Sequence, residues 1–313
     1  MTIKSKYLRL SVTNQCNLSC YYCHNEGQSR ITEYLLTPED ITFIVQQSTG
    51  LGFNKIKLTG GEPLLRKDIV SIISKINEFG VSDFSMITNG VLLYKYAYEL
   101  RQAGLPRLNV SFQTLNKKVF WKNISKNVWN IDLIIKGIDR AISIGYTDLK
   151  LNFIYHSEVS KKDFEDICQF ASERNLIVVL LPILLNKPRK YDKKLSADDI
   201  CNYLLPDKVE KTCDFTDNDG INKRMIYLFN GARILIRLNE LPDINPFKEC
   251  EYCKKKFECR EGIFSIRILS NGCLLPCLEE GLKRVDLKDI IINRKDIEFR
   301  RAINSIAGKS LGE

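Results

Sequence analysis

The chain has 313 residues, 44% of them apolar, and 47 Lys and Arg against 38 Asp and Glu, for a net charge of +9 and a pI near 8.9. That is enough apolar material for one large domain with a smaller appendage, and no run approaches the roughly 18 apolar residues of a membrane span, so a cytoplasmic protein is expected. No disulfide scaffold is expected, because the segment Met1 to Lys6 is polar, with no secretory signal, and the 11 cysteines concentrate at the two ends of a long chain. The positive balance suits an anionic substrate such as a nucleotide, or lysines solvated on helix faces. No membrane or nucleic-acid partner is expected.

In chain order, Tyr7–Thr13 reads as an apolar strand, and Cys16, Cys20 and Cys23 follow it at CxxxCxxC spacing. Thr37-Pro38-Glu39-Asp40 opens a helix with a capping Thr, a Pro at the first helical position and acids in the first turn. Strands follow at Lys55–Thr59, Phe84–Thr88, Arg107–Gln113, Leu149–Tyr155 and Leu176–Ile183, separated by amphipathic stretches. Gly50-Leu51-Gly52, Gly80, Gly104 and Gly145 mark helix ends, and Ser160 with Asp163 opens another helix.

Six such units predict an α/β fold with a parallel, curved sheet, and ligands of such folds gather beyond the carboxyl ends of the strands. The polar motifs stand there: the cysteine loop, Gly60-Gly61-Glu62, Thr88-Asn89-Gly90, then Ser111 and Gln113. Past about Asn186 the rhythm stops. Residues 1–186 are expected to form the barrel core, 187–245 an irregular connection and 246–313 a second metal-binding domain. That last stretch holds Cys250, Cys253, Cys259, Cys273 and Cys277, a metal signal in which zinc and iron–sulfur ligation both stand open. Cys168, Cys201 and Cys213 are isolated and expected to be small buried hydrophobes.

Three thiolates on one loop can hold three irons of a [4Fe–4S] cluster and leave the fourth open to an exogenous molecule. Structural zinc wants four ligands, and neither His24 nor His156, the only two histidines, stands at the spacing of a second pair. With Leu58-Thr59-Gly60-Gly61-Glu62-Pro63 after the second strand, the cysteine loop resembles the radical S-adenosylmethionine (SAM) superfamily, whose fold is a partial (βα)6 barrel. The resemblance implies that Cys16, Cys20 and Cys23 hold a cluster whose open iron chelates SAM, and that reduction by a flavodoxin or ferredoxin yields a 5′-deoxyadenosyl radical.

A narrower resemblance runs through Tyr7 to Leu18, Lys55 to Arg66, Thr88 to Leu93 and Leu108 to Ser111, which look like the GTP 3′,8-cyclases of molybdenum cofactor biosynthesis. It implies GTP contacts at Arg9, Lys57, Thr88, Lys150 and Arg267, and SAM contacts at Tyr22, Gly60, Gly61, Glu62 and Ser111. The chain also departs from that pattern. Ile263 stands where the second auxiliary Cys is expected, Ser265 replaces one of two arginines, and the double-glycine tail is missing. Cys259, twelve residues, Gly272, four residues and Cys277 instead resemble the SPASM and Twitch extensions of peptide-modifying radical SAM enzymes. A second [4Fe–4S] cluster on Cys250, Cys253, Cys259 and Cys277 is therefore expected, with Cys273 as a neighbour. Two enzymes fit: a cyclase acting on GTP or another purine nucleotide, and a maturase of a peptide or small metabolite. An iron–sulfur protein without SAM chemistry leaves Gly60-Gly61-Glu62 and the strand-end polar residues without a purpose.

Overall fold

The computed structural model describes residues 7–28, 34–126, 128–156, 159–183, 197–205, 207–218, 221–238, 252, 265–278 and 284–306. Their strands form one twelve-stranded sheet, curled as a half barrel. The six expected strands lie side by side in chain order: β1 (Tyr7–Ser11), β2 (Lys55–Thr59), β3 (Asp83–Thr88), β4 (Arg107–Ser111), β5 (Asp148–Tyr155) and β6 (Ile177–Pro182). Every neighbouring pair is parallel, and a helix follows each of the first five: α1 (Pro38–Gly50), α2 (Ile69–Asn77), α3 (Leu93–Gln102), α4 and α5 (Lys117–Asn123 and Ile131–Ser143), and α6 (Lys161–Glu173).

Strand alternation sorts the residues onto two faces. Leu8, Leu10, Ile56, Leu58, Met86, Leu108, Val110 and Leu151 are fully buried in the core beneath the helices. The intervening residues are polar: Arg9, Lys57 and Ser85 sit at matched register on β1, β2 and β3, and Ser111 faces Asn152 on β4 and β5. Of this polar face, Arg9, Ser111 and Asn152 line a cleft. The predicted helix starts are present. Thr37 and Asp40 exchange both bonds of a capping box, and Ser160 Oγ accepts from the Asp163 N–H.

The stretch expected to be irregular is ordered in part. It holds α7 (Ala197–Leu204) and a meander of β7 (Val209–Thr216), β8 (Asn222–Leu228) and β9 (Arg233–Arg237), with β9 parallel to β6 and β7 at the sheet edge. Nearly every residue of β7 is exposed, so no apolar alternation betrays it. Cys213 on β7 is exposed, contrary to expectation, whereas Cys168 is buried as expected.

At the other edge, β10 (Ser265–Ile268) lies parallel to β1 and continues through β11 (Cys273–Leu275) to β12 (Val285–Asp286). Here α8 (Lys288–Ile292) and α9 (Asp296–Ile306) pack on α1, with Phe299 edge-on to Phe43. The strands β10, β11 and β12 thus extend the barrel sheet itself. Cys250, Cys253 and Cys259 lie outside the described residues.

Candidate active site

The cysteine loop leaves β1 and is laced to the loop after β2. The Val12 N–H donates to Thr59, the Gly61 N–H to Thr13 (2.8 Å) and the Glu62 N–H to Gln15 (2.7 Å), so the backbone pairing continues to the residue before Cys16. The two glycines make this approach feasible. A Cβ on Gly61 would lie 2.0 Å from the Gln15 carbonyl oxygen, and one on Gly60, whose φ is +151°, 2.4 Å from that of Thr13. From the other side Trp129 donates to the Asn17 carbonyl at 3.1 Å, and the Asn89 amide to Asn17 Oδ1 at 2.8 Å.

N–H groups aim at the sulfurs. Leu18 N–H points to Cys16 Sγ at 3.4 Å, Asn25 N–H to Cys23 Sγ at 3.3 Å, and the Asn89 amide to Cys16 Sγ at 3.8 Å. Burial pushes the Cys16 thiol up and the Cys20 thiol to about 12. Three thiols lining one cleft, with donors already facing Cys16 and Cys23, fit an iron–sulfur cluster, whose irons would hold them as thiolates. Among the described residues, no three His, Cys, Asp or Glu side chains surround a point suited to a single metal ion.

Glu62 is fully buried and turned into the protein. Its carboxylate accepts from the Leu64 N–H (3.0 Å), the Thr88 hydroxyl (2.7 Å) and the Asn89 N–H (2.6 Å), and burial raises its pKa to about 7. It braces the turn after β3, and that turn in turn delivers Asn89 to Cys16.

A cleft of about 240 Å³ opens over these loops, lined by Cys16, Cys20, Cys23, Tyr22, Gly60, Gly61, Thr88, Ser111, Arg9 and Arg267 among others. Most of the expected site is thereby brought together. Lys57, Lys150 and Glu62 do not line it. Lys57 is half-buried with its ammonium 5.2 Å from the Tyr7 ring, and Lys150 pairs with Asp148 at 3.1 Å. Burial, above all, lowers the pKa of Lys57. Cys277 is half-buried on the C-terminal hairpin next to Leu278, which does reach the cleft.

Sequence reasoning placed Asn89 at a strand end but missed Glu26 and Asn152, which also line the cleft. Asn152 lies within β5 across from Ser111, a polar residue inside an apolar strand and so a signal that could have found it. Glu26 carries no such signal. It follows the third cysteine in a turn and meets Arg9 at 2.5 Å and Arg267 at 3.6 Å. Burial pushes its carboxyl up, but Arg9, then His24 and Arg267, outweigh this and hold it at about 2.

The model of the radical SAM superfamily matches residues 10–171. Proteins named "Probable GTP 3′,8-cyclase" are similar over nearly the whole chain. That of Methanocaldococcus jannaschii is 36% identical over 95% of this chain and 93% of its own, and that of Pyrococcus horikoshii 35% identical over 91% and 86%. Among solved structures, Streptococcus suis SuiB bound to the precursor peptide SuiA superposes with a TM-score of 0.62 at 19% identity. That alignment covers 91% of this chain and 64% of SuiB, so the chain spans just under two thirds of that protein, and the likeness is one of fold.

Proposed function

Because the chain belongs to the radical SAM superfamily, and within it to the family of the archaeal probable GTP 3′,8-cyclases, we propose that it catalyses a GTP 3′,8-cyclase-like reaction on a purine nucleotide. The observation that carries this reading is one cleft holding both the three-cysteine loop and the paired guanidiniums of Arg9 and Arg267. A [4Fe–4S] cluster on Cys16, Cys20 and Cys23, with bound SAM, would supply the 5′-deoxyadenosyl radical that takes hydrogen from the substrate. The chain's own residues supply position and dryness. Gly60 and Gly61 present backbone at the SAM side of the cleft, with Tyr22 and Ser111 beside it. Thr59, whose buried hydroxyl has no hydrogen-bond partner among the described residues, offers a further polar contact. Arg9 and Arg267 face the substrate's anionic groups, and Asn152 fixes its far edge. In this reading Lys57 and Lys150 shape the floor of the barrel.

The protein acts in the cytoplasm with a flavodoxin- or ferredoxin-like donor, and a second cluster on Cys250, Cys253, Cys259 and Cys277 completes it. Among the described residues, no helix is long and apolar enough to cross a membrane. The maturase reading keeps one specific support, the Cys259–Gly272–Cys277 spacing. Anaerobic, reduced and reconstituted protein incubated with SAM and GTP is expected to release 5′-deoxyadenosine together with a nucleotide product. Since cyclisation followed by gain of one electron and one proton restores the hydrogen removed, that product should be an isomer of GTP, resolved from it by chromatography before mass spectrometry. Release of 5′-deoxyadenosine with unchanged GTP would refute the nucleotide reading and leave the maturase.

A further inference from the structure

Asn25, Glu26 and Gly27 form a left-handed turn, with φ values of 52°, 50° and 72°. For glycine, and for an asparagine with a local side-chain hydrogen bond, this is ordinary; for Glu26 the backbone is strained, and such strain persists only where its surroundings impose it. The turn is clamped on several sides. The Glu26 N–H donates to His24 Nδ1 at 3.1 Å, the Asn25 amide to the Gln28 carbonyl at 2.6 Å, and Arg284 to the Gly27 carbonyl at 2.8 Å. A Cβ on Gly27 would also strike Leu275 and Leu278 of the C-terminal hairpin, at 2.9 and 2.8 Å. The product of this strain is the placement of one carboxylate, 8% exposed, between Arg9 of β1 and Arg267 of β10.

An ion pair kept only for stability has little reason to be here. Buried salt bridges often add nothing net over apolar packing, and this one needs a strained backbone and opens onto a ligand cleft. Its effect on recognition is direct: two guanidiniums and one carboxylate leave one net positive charge where the arginines alone would offer two.

Resting on the nucleotide assignment above, we propose that Glu26 is a specificity-determining residue, a resident counter-anion that occupies the anion position between Arg9 and Arg267 and sets how much negative charge the pocket accepts. An incoming phosphate must displace or share with it. A multiply charged ligand therefore gains less from the arginines than their number suggests, and free polyphosphate is discriminated against most. Before the substrate arrives, the same carboxylate keeps both guanidiniums aimed into the cleft.

The test is equilibrium titration of the reconstituted protein with guanosine, GTP and inorganic tripolyphosphate, in the native form and as Glu26→Gln and Glu26→Asp. Removing one partly screened charge should tighten tripolyphosphate and GTP binding about tenfold in Glu26→Gln while guanosine stays within about twofold. Glu26→Asp, which keeps the charge but withdraws it by one methylene, should give a smaller gain in the same order. If circular dichroism shows that Glu26→Gln does not fold, the Glu26→Asp comparison decides alone. Tripolyphosphate bound equally or more weakly by the folded variants overturns the proposal, whether or not GTP binds. Tighter tripolyphosphate with no GTP binding by any form upholds Glu26 as the counter-anion and refutes the nucleotide assignment instead.

Discussion

Arg9 and Arg267 come from opposite ends of the chain and stand directly across from one another on β1 and β10, in matched register of a parallel ladder. Two guanidiniums on adjacent strands repel, and Glu26 between them offsets that repulsion. Arg267 is only 2% exposed, so its charge reaches solvent only through the cleft.

Placement, not sign of charge, decides which cations matter to substrate. Arg9→Ala should weaken GTP binding about tenfold or more, because a partly desolvated charge-assisted contact is worth roughly 1.5–3 kcal/mol. Lys150→Ala, whose ammonium already pairs with Asp148 and does not line the cleft, should cost about threefold or less. Parallel titrations decide it, and equal losses would return Lys150 to the substrate site.

Replacing Cys16, Cys20 and Cys23 together by Ala should remove about four irons per chain and abolish 5′-deoxyadenosine formation. Native protein should hold about eight if the C-terminal cysteines carry a second cluster, or about four with one zinc if they do not. Reductive SAM cleavage by the triple variant would show that the catalytic cluster is elsewhere.

In Gly61→Ala the added methyl would press on the Gln15 carbonyl oxygen at 2.0 Å, forcing apart the two loops that hold Cys16. A destabilisation of roughly 1–3 kcal/mol is expected, with lowered iron content. Gly80→Ala is the control: its φ is +60° but nothing lies within 4 Å, so it should cost about 1 kcal/mol and leave iron unchanged. Urea unfolding and iron analysis of both variants test the contrast.

Acid should find Glu26. Its carboxyl is held at about 2 in the folded protein, below the ordinary value of 4.5, so the unfolded chain binds its proton more readily. The associated stability is present above the ordinary carboxylate range and is lost as pH falls through it toward the folded value. Urea midpoints measured from about pH 6 down to about pH 3 should fall more steeply for native protein than for Glu26→Gln. Parallel curves would mean that the pair contributes nothing to acid sensitivity.

The six barrel strands, their helix caps and the cysteine loop were legible because each follows a local rule: apolar alternation from Leu8 to Val12, the Thr37–Asp40 capping box, the spacing of three thiols. The glycines after β2 announced a tight approach, and the Gln15 carbonyl supplies it. What escaped depends on pairing at long range. Nothing in Val209–Thr216 distinguishes a solvent-bathed edge strand from a lysine-rich linker. Glu62 reads as a ligand residue, yet three donors of the fold claim its carboxylate. Arg9 and Lys57 read alike as cations on neighbouring strands at matched register. Only side-chain direction separates them, one into the cleft and the other onto Tyr7.

Because β10 is the partner of β1 on the side away from β2, β1 leaves the ribosome long before its second partner does. A chain cut short before Ser265 would keep the cysteine loop and most of the barrel but leave β1 as a bare edge, its backbone groups open to any other strand. Such fragments should self-associate instead of persisting as half-built enzymes. Synthesis of β10 is thus also the step that seals the sheet, and a copy able to bind SAM without a complete substrate pocket would be prone to removal by aggregation.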